Sequence, residues 1–184
     1  KLRLARPELL IDLNRISSLA GIEENGNQVT IGALTRHADV AGSDLVKKRI
    51  PGLAALADSI GDPQVRNRGT IGGSVANNDP AADYPAGLLG LGATIVTDRR
   101  EISAEDFFTD MFETALEEDE IITTVHFPVP KRAAYAKFPN PASRYAIVGV
   151  MVVDTGSEVR VAVTGAAPCV FRVTEMEAIL LDDF

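Results

Sequence analysis

The chain has 184 residues, 46% of them hydrophobic and 24% charged, with a formal net charge of −8. That length supports a real hydrophobic core in one large or two small domains, and the acidic balance argues against nucleic acid as the principal ligand. A single cysteine, Cys169, excludes an intrachain disulfide, and with only His37 and His126 beside it no metal centre is expected.

No apolar run reaches the roughly 20 residues that a membrane-spanning helix needs, and residues 1–12 lack the apolar stretch of a cleavable signal. The lone cysteine fits a reducing, cytoplasmic setting, which is the expectation. In chain order, Leu9–Leu13 reads as a short buried strand closed by Asn14 and Arg15. Gln28–Gly32 reads as a second strand, entered from the turn formers Asn25, Gly26 and Asn27. Thr35 is the expected N-cap of a short helix over Arg36–Ala41. Pro51 opens a helix whose Leu53, Leu56, Ala57 and Ile60 share one face, and Gly61, Asp62 and Pro63 end it.

Residues 67–80 are rich in Gly, Asn, Asp and Pro and read as loop. Asp83–Leu91 is expected to be helical, and Ala93–Thr97 and Ile121–Phe127 to be strands, the latter stopped by Pro128. Pro128–Arg132 is the best boundary, dividing the chain into 1–127 and 128–184. Beyond it, Tyr145–Val153 and Val159–Thr164 read as strands of a hairpin turning through Gly156. Thr174 and Glu177 form a capping-box pattern for a helix over Thr174–Leu181. The sum is a mixed α+β fold in two lobes.

The stretch richest in possible chemistry is Thr70–Ser74, with Asn77, Asn78, Asp79 and Asp83 after it. Two adjacent glycines, Gly72 and Gly73, let backbone approach a flat or phosphorylated ligand. The hydroxyls of Thr70 and Ser74, with free N–H groups nearby, could bond a ribityl chain or a diphosphate. A plain tight turn explains the same residues. The pattern is neither a dinucleotide-fold fingerprint nor a phosphate-binding P-loop.

The run VRNRGTIGGSVANNDPAADYPAGLLGLGA, residues 65–93, resembles the second flavin-binding segment of aerobic carbon monoxide dehydrogenase medium subunits. It is less closely similar to the flavin domain of xanthine dehydrogenases. KLRLARPELLIDLNRI at the start, IGALTRHADV at 31–40, DEIITTVHFP at 119–128 and YAKFPNPASRYAIVGV at 135–150 extend the resemblance to essentially the whole chain. It implies a PCMH-type FAD-binding domain of mixed sheets and helices, followed by part of a smaller α+β C-terminal lobe.

It further implies that Thr70, Ile71, Gly72, Gly73 and Ser74 form a loop holding FAD and that Asp83 hydrogen-bonds the cofactor. Ile60 and Ile122 fall at apolar contacts to the flavin or adenine, Lys137 at a cofactor-facing lysine, and Tyr145 at a tyrosine close to the isoalloxazine. No residue is assigned a catalytic role. The implied partners are an iron–sulfur small subunit and a molybdopterin large subunit, with electrons passing through FAD to an external acceptor. An upstream Ala-Gly-Gly-x-Ser/Thr loop belongs to the same pattern and is not in this sequence, and the C-terminal lobe stops short of the pattern's end. With no initiating Met and a last residue just after a helical pattern, both ends are expected to be cuts.

Each position also has a plain structural reading. Asp83 could cap a helix, Lys137 could be a solvated strand lysine, and Tyr145 could simply pack. His37 and His126 read as structural, Cys169 as a small apolar residue, and Glu117–Glu120 as a solvated turn. At the level of function, a scaffold of this fold that binds no flavin is the competing reading. A self-contained flavin oxidase is a third, for which the sequence offers no His, Cys or Tyr cluster as a substrate site.

Overall fold

The computed structural model describes residues 8–183. Its first half comprises β1 (Ile22–Asn25), β2 (Gln28–Gly32), α1 (His37–Gly42), α2 (Asp44–Arg49), α3 (Pro51–Asp58), α4 (Pro63–Arg66), α5 (Ile71–Asn77) and α6 (Tyr84–Leu91). Then follow β3 (Thr94–Thr97), β4 (Glu101–Ser103), α7 (Ala104–Phe107), β5 (Phe108–Asp110), β6 (Glu113–Thr114) and β7 (Ile122–Pro128). The remainder is β8 (Arg132–Pro139), β9 (Ala146–Asp154), β10 (Val159–Thr164), β11 (Phe171–Arg172) and α8 (Thr174–Asp183). The α+β class holds.

Two antiparallel sheets carry the structure, one ordered β1-β2-β7-β3-β4 and the other β11-β10-β9-β8; β5 and β6 form a separate hairpin. In the first sheet, β2 pairs with β7 so that Val29 faces Phe127 and Ile31 faces Val125, while Ile95 on β3 also pairs with Val125. All five side chains are fully buried, because residues two apart on a strand share a face and one face here meets the helices. The strands expected from alternation at Gln28–Gly32, Ala93–Thr97, Ile121–Phe127 and Val159–Thr164 are thus present, within a residue at each end.

Helix α6 lies between the sheets, touching β7 of the first and β9 and β10 of the second, with α3 beside it. Leu53 and Leu56 of α3 are fully buried, and α3 packs on β8 while α6 packs on β9 and β10. Close approach depends on missing side chains: a Cβ at Gly52 would stand 2.8 Å from the carbonyl oxygen of Ala133, and one at Gly90 2.7 Å from Cγ of Met151. One buried cluster therefore runs from Val29 in the first sheet to Met151, Val153 and Ala162 in the second.

Four expectations are corrected. Leu9–Leu13 forms no strand: Leu9, Leu10 and Ile11 are 74–83% exposed and unpaired, so an apolar run without a partner strand gains nothing by extending. Thr35 does not cap α1; its hydroxyl is turned to the backbone of Gly21, donating to the carbonyl and accepting from the N–H. Thr174 and Glu177 make no reciprocal capping box, because Glu177 instead accepts from the Val161 N–H and both ends of the Arg172 guanidinium. Glu120 is not solvated: its buried carboxylate takes bonds from Arg100, Thr97 and the Glu117 N–H, which hold it down to about 2.

A candidate cofactor cavity on the first turn of a short helix

The Gly-Gly segment is helix rather than loop. Thr70 is the N-cap of α5, its side chain accepting from the Gly73 N–H at 3.2 Å, and a capped first turn tolerates glycines that a long helix would not. The other early N–H groups are also taken. Ile71 donates to the Thr35 carbonyl at 3.0 Å, Gly72 to the Ala33 carbonyl at 2.8 Å, and Ser74 to the Thr70 carbonyl at 3.1 Å. The free N–H groups expected here are therefore committed to the fold. What this turn can offer a ligand is the Gly73 surface and the Ser74 hydroxyl.

The two glycines do different work. A Cβ at Gly72 would stand 2.6 Å from the Ala33 Cβ and 2.8 Å from its carbonyl oxygen, so Gly72 is where α5 closes on the chain after β2. A Cβ at Gly73 would meet only the Thr70 Oγ1, at 3.0 Å, and otherwise point into open space.

That space is a cavity of about 510 Å³, lined among others by Ile60, Thr70, Gly73, Ser74, Asp83 and Tyr145. Six of the ten expected site residues thus meet around one cavity. Ile71 does not; it is fully buried in the core. Gly72 and Ile122 line a smaller cavity of about 220 Å³, whose wall also includes Thr70 and Gly73. Lys137 touches neither. It lines a third hollow on the far side of the wall, with Tyr135, Ser59 and Arg144.

Asp83 sits at the N-terminus of α6, yet its side chain makes no cap bond. It turns instead to β8, where Tyr135 Oη donates to Oδ1 at 2.5 Å and Lys137 Nζ lies 3.0 and 3.1 Å from the two oxygens. Burial pushes the Asp83 carboxyl above its ordinary range, against the pull of Tyr135 and Lys137. The segment before it is clamped to the second sheet: Thr164 Oγ1 donates to the carbonyls of Pro80 and Ala82, and the Gly165 N–H to Pro80. His37, which the sequence reading left structural, also lines the cavity; burial lowers its pKa to about 4, so it is neutral at pH 7.

A concave, mostly apolar site with a few convergent polar groups is what a flat aromatic cofactor needs. Residues 1–130 match the family model described as "FAD binding domain in molybdopterin dehydrogenase". The chain belongs to this FAD-binding family. It is 41% identical to the carbon monoxide dehydrogenase medium chain of Hydrogenophaga pseudoflava, over 94% of this chain and 64% of that one. It is 39% identical to the nicotine 6-hydroxylase medium subunit of Paenarthrobacter nicotinovorans, over 97% of this chain and 67% of that one. The solved structure of reconstituted carbon monoxide dehydrogenase from Oligotropha carboxidovorans superposes with a TM-score of 0.90 at 35% identity, covering 97% of this chain and 66% of that one. The chain therefore spans about two thirds of the length of these relatives. Among the described residues of this FAD-binding family member, no helix is long and apolar enough to cross a membrane.

Residues that sequence reasoning did not assign to the site include His37, Arg68 and Arg144 around this cavity and Tyr135 behind it, against Asp83. Tyr135 had a usable signal: it stands two residues before Lys137, and alternate residues of a strand share a face. The sequence admits a strand position for Lys137, but the partner of that face, Asp83, lies 52 and 54 residues away from Tyr135 and Lys137, so the pairing was hidden.

Proposed function

We propose that this chain is the FAD-holding part of an electron-transfer subunit in a cytoplasmic molybdenum-containing hydroxylase. The carrying observation is the cavity of about 510 Å³ walled by Thr70, Gly73, Ser74 and Asp83, with a second of about 220 Å³ sharing Thr70 and Gly73. A dinucleotide has two ends and a narrow middle, and two hollows on either side of one glycine turn suit that shape. Gly73 leaves the middle open to it, and Ser74 offers a hydroxyl there. Ile60, Asp83 and Tyr145 would hold the end in the larger cavity, and Ile122, with Gly72, the end in the smaller. Ile71 supports the turn from beneath, and Lys137 acts from behind the wall.

When bound, FAD would accept electrons from a partner's iron–sulfur clusters and release them to an external acceptor. This chain's own residues need supply only binding, orientation and exclusion of water. We assign the iron–sulfur and molybdopterin groups to separate small and large partner subunits, as family membership suggests. The oxidised substrate would be bound by the molybdenum partner, which accords with relatives named for compounds as unlike as carbon monoxide and nicotine. Residues 1–127 would form the FAD-binding unit, and residues 128–184 a lobe that backs it.

The test is the visible spectrum of the purified full-length subunit and the release of FAD on denaturation, compared with two glycine variants. Gly73→Val should lower FAD affinity at least about tenfold while leaving the unfolding midpoint nearly unchanged, since its side chain enters the cavity. Gly72→Val should instead destabilise the fold by about 1–3 kcal/mol or more, by overpacking against Ala33. A colourless subunit that ignores added FAD, or a Gly73→Val variant that binds it normally, would overturn the placement.

A further inference from the structure

The lysine at position 137 has its ammonium group almost wholly inside the protein, with 6% of its side chain exposed, but outside the cavity. Its three protons have three partners: the Ser59 carbonyl at 2.8 Å, the Arg144 carbonyl at 3.0 Å and the Asp83 carboxylate at 3.0 Å. Those partners belong to three different walls. Ser59 precedes Ile60 and Gly61, Arg144 precedes Tyr145, and Asp83 is itself a lining residue. Arg144 presents its carbonyl from a left-handed conformation, φ 61°, which a non-glycine residue adopts only at a cost in energy. Tyr135 completes the arrangement from the same face of β8. Its ring passes over Gly149, where a Cβ would stand 2.9 Å from Cζ, and its hydroxyl reaches Asp83.

We propose that Lys137 and Tyr135 are positioning residues that clasp the three walls of the flavin cavity from outside and hold Asp83 as an ionised acceptor facing the cofactor. The proposal rests on the FAD reading of that cavity. A buried carboxylate stripped of its cation takes up a proton rather than stay charged. Without Lys137, Asp83 would change from acceptor to donor, and the Ser59 and Arg144 walls would lose their common tie. The other titratable or charged groups near Asp83 are Tyr84 beside it on α6 and His37, Asp79, Arg68 and Arg144 around the cavity. Of these, His37 titrates well below neutral pH.

The experiment is FAD titration of the full-length apo-subunit, read by flavin absorbance and fluorescence between pH 6 and 9, for the wild type, Lys137→Met and Tyr135→Phe. Lys137→Met should bind at least about tenfold more weakly, the equivalent of one charged hydrogen bond. Its affinity should also recover as pH rises and Asp83 loses its proton, whereas the wild type should be flat. Tyr135→Phe keeps the packed ring and should show a smaller loss of the same kind, with unchanged far-ultraviolet circular dichroism. Adding Asp83→Asn to Lys137→Met should cost little more and should abolish the pH dependence. Wild-type affinity in Lys137→Met, or a loss with no pH dependence in both single variants, would overturn the clasp while leaving the flavin site standing. A wild-type subunit that takes up no FAD would overturn both.

Discussion

His37 shows how a single buried side chain ties the cavity to the stability of the fold. Its ring lies 5.3 Å from that of Tyr84, and its Nδ1 and the Tyr84 Oη are both buried without a hydrogen-bond partner among the described residues. Desolvation disfavours the imidazolium, so the folded pKa of about 4 lies below the ordinary 6.5. The folded state then binds fewer protons than the unfolded state between these values. Stability is full above about pH 6.5 and falls as the pH drops toward 4. His37→Gln removes this titration, so its unfolding free energy, measured by urea titration, should vary less between pH 6.5 and 4 than that of the wild type. Equal slopes in the two proteins would exclude His37 as the source.

At the level of elements, the short α5 is held at both ends by contacts distant in sequence. Its C-terminus is Asn78, buried in a left-handed conformation with φ 41°. The Asn78 amide nitrogen donates to the carbonyls of Asp110 at 2.8 Å and Glu113 at 2.7 Å, and its own carbonyl accepts from the Phe112 N–H at 3.1 Å. One residue thus ends the helix and anchors the β5–β6 hairpin. Asn78→Ala combines backbone strain with two lost bonds to carbonyls and should cost about 2–4 kcal/mol. Asn78→Gly relieves the strain but not the lost bonds and should cost less. Thermal denaturation checks the order; a glycine variant as unstable as alanine would show that the backbone conformation contributes nothing.

Across the whole molecule, the buried cluster does not stop at the boundary between residues 127 and 128. Helix α6 packs on β7 of the first sheet and on β9 and β10 of the second, α3 packs on β8, and Gly52 and Gly90 let the second sheet approach their backbones. A shared core of this kind unfolds as one unit. Urea unfolding followed by far-ultraviolet circular dichroism and by tyrosine fluorescence should give coincident transitions. Gly90→Val should lower both midpoints together by driving the helix off Met151, at a cost of about 1–3 kcal/mol. Separate transitions would show that the two lobes are energetically independent.

The amino-acid order alone determined those elements whose signals are local. Alternation of β-branched residues marked β2, β7 and β10, Pro51 marked the start of α3, and Gly156 marked the hairpin between β9 and β10. The family resemblance, carried chiefly by residues 65–93, pointed to residues of which six line one cavity. What it could not supply was contact between distant segments. The low helix propensity of Gly72 and Gly73 hid α5, which exists because Ala33 and Thr35 accept its first N–H groups. The Leu9–Leu13 run looked buried but has no partner strand. Asp83 was expected from the resemblance to bond the cofactor and was readable otherwise as a helix cap, but nothing local marked its partners 52 and 54 residues onward. Whether a polar side chain caps a helix, lines a cavity or braces a wall depends on which partner lies within about 3 Å of it, and that is set by the packing of sheets rather than by neighbours in the chain.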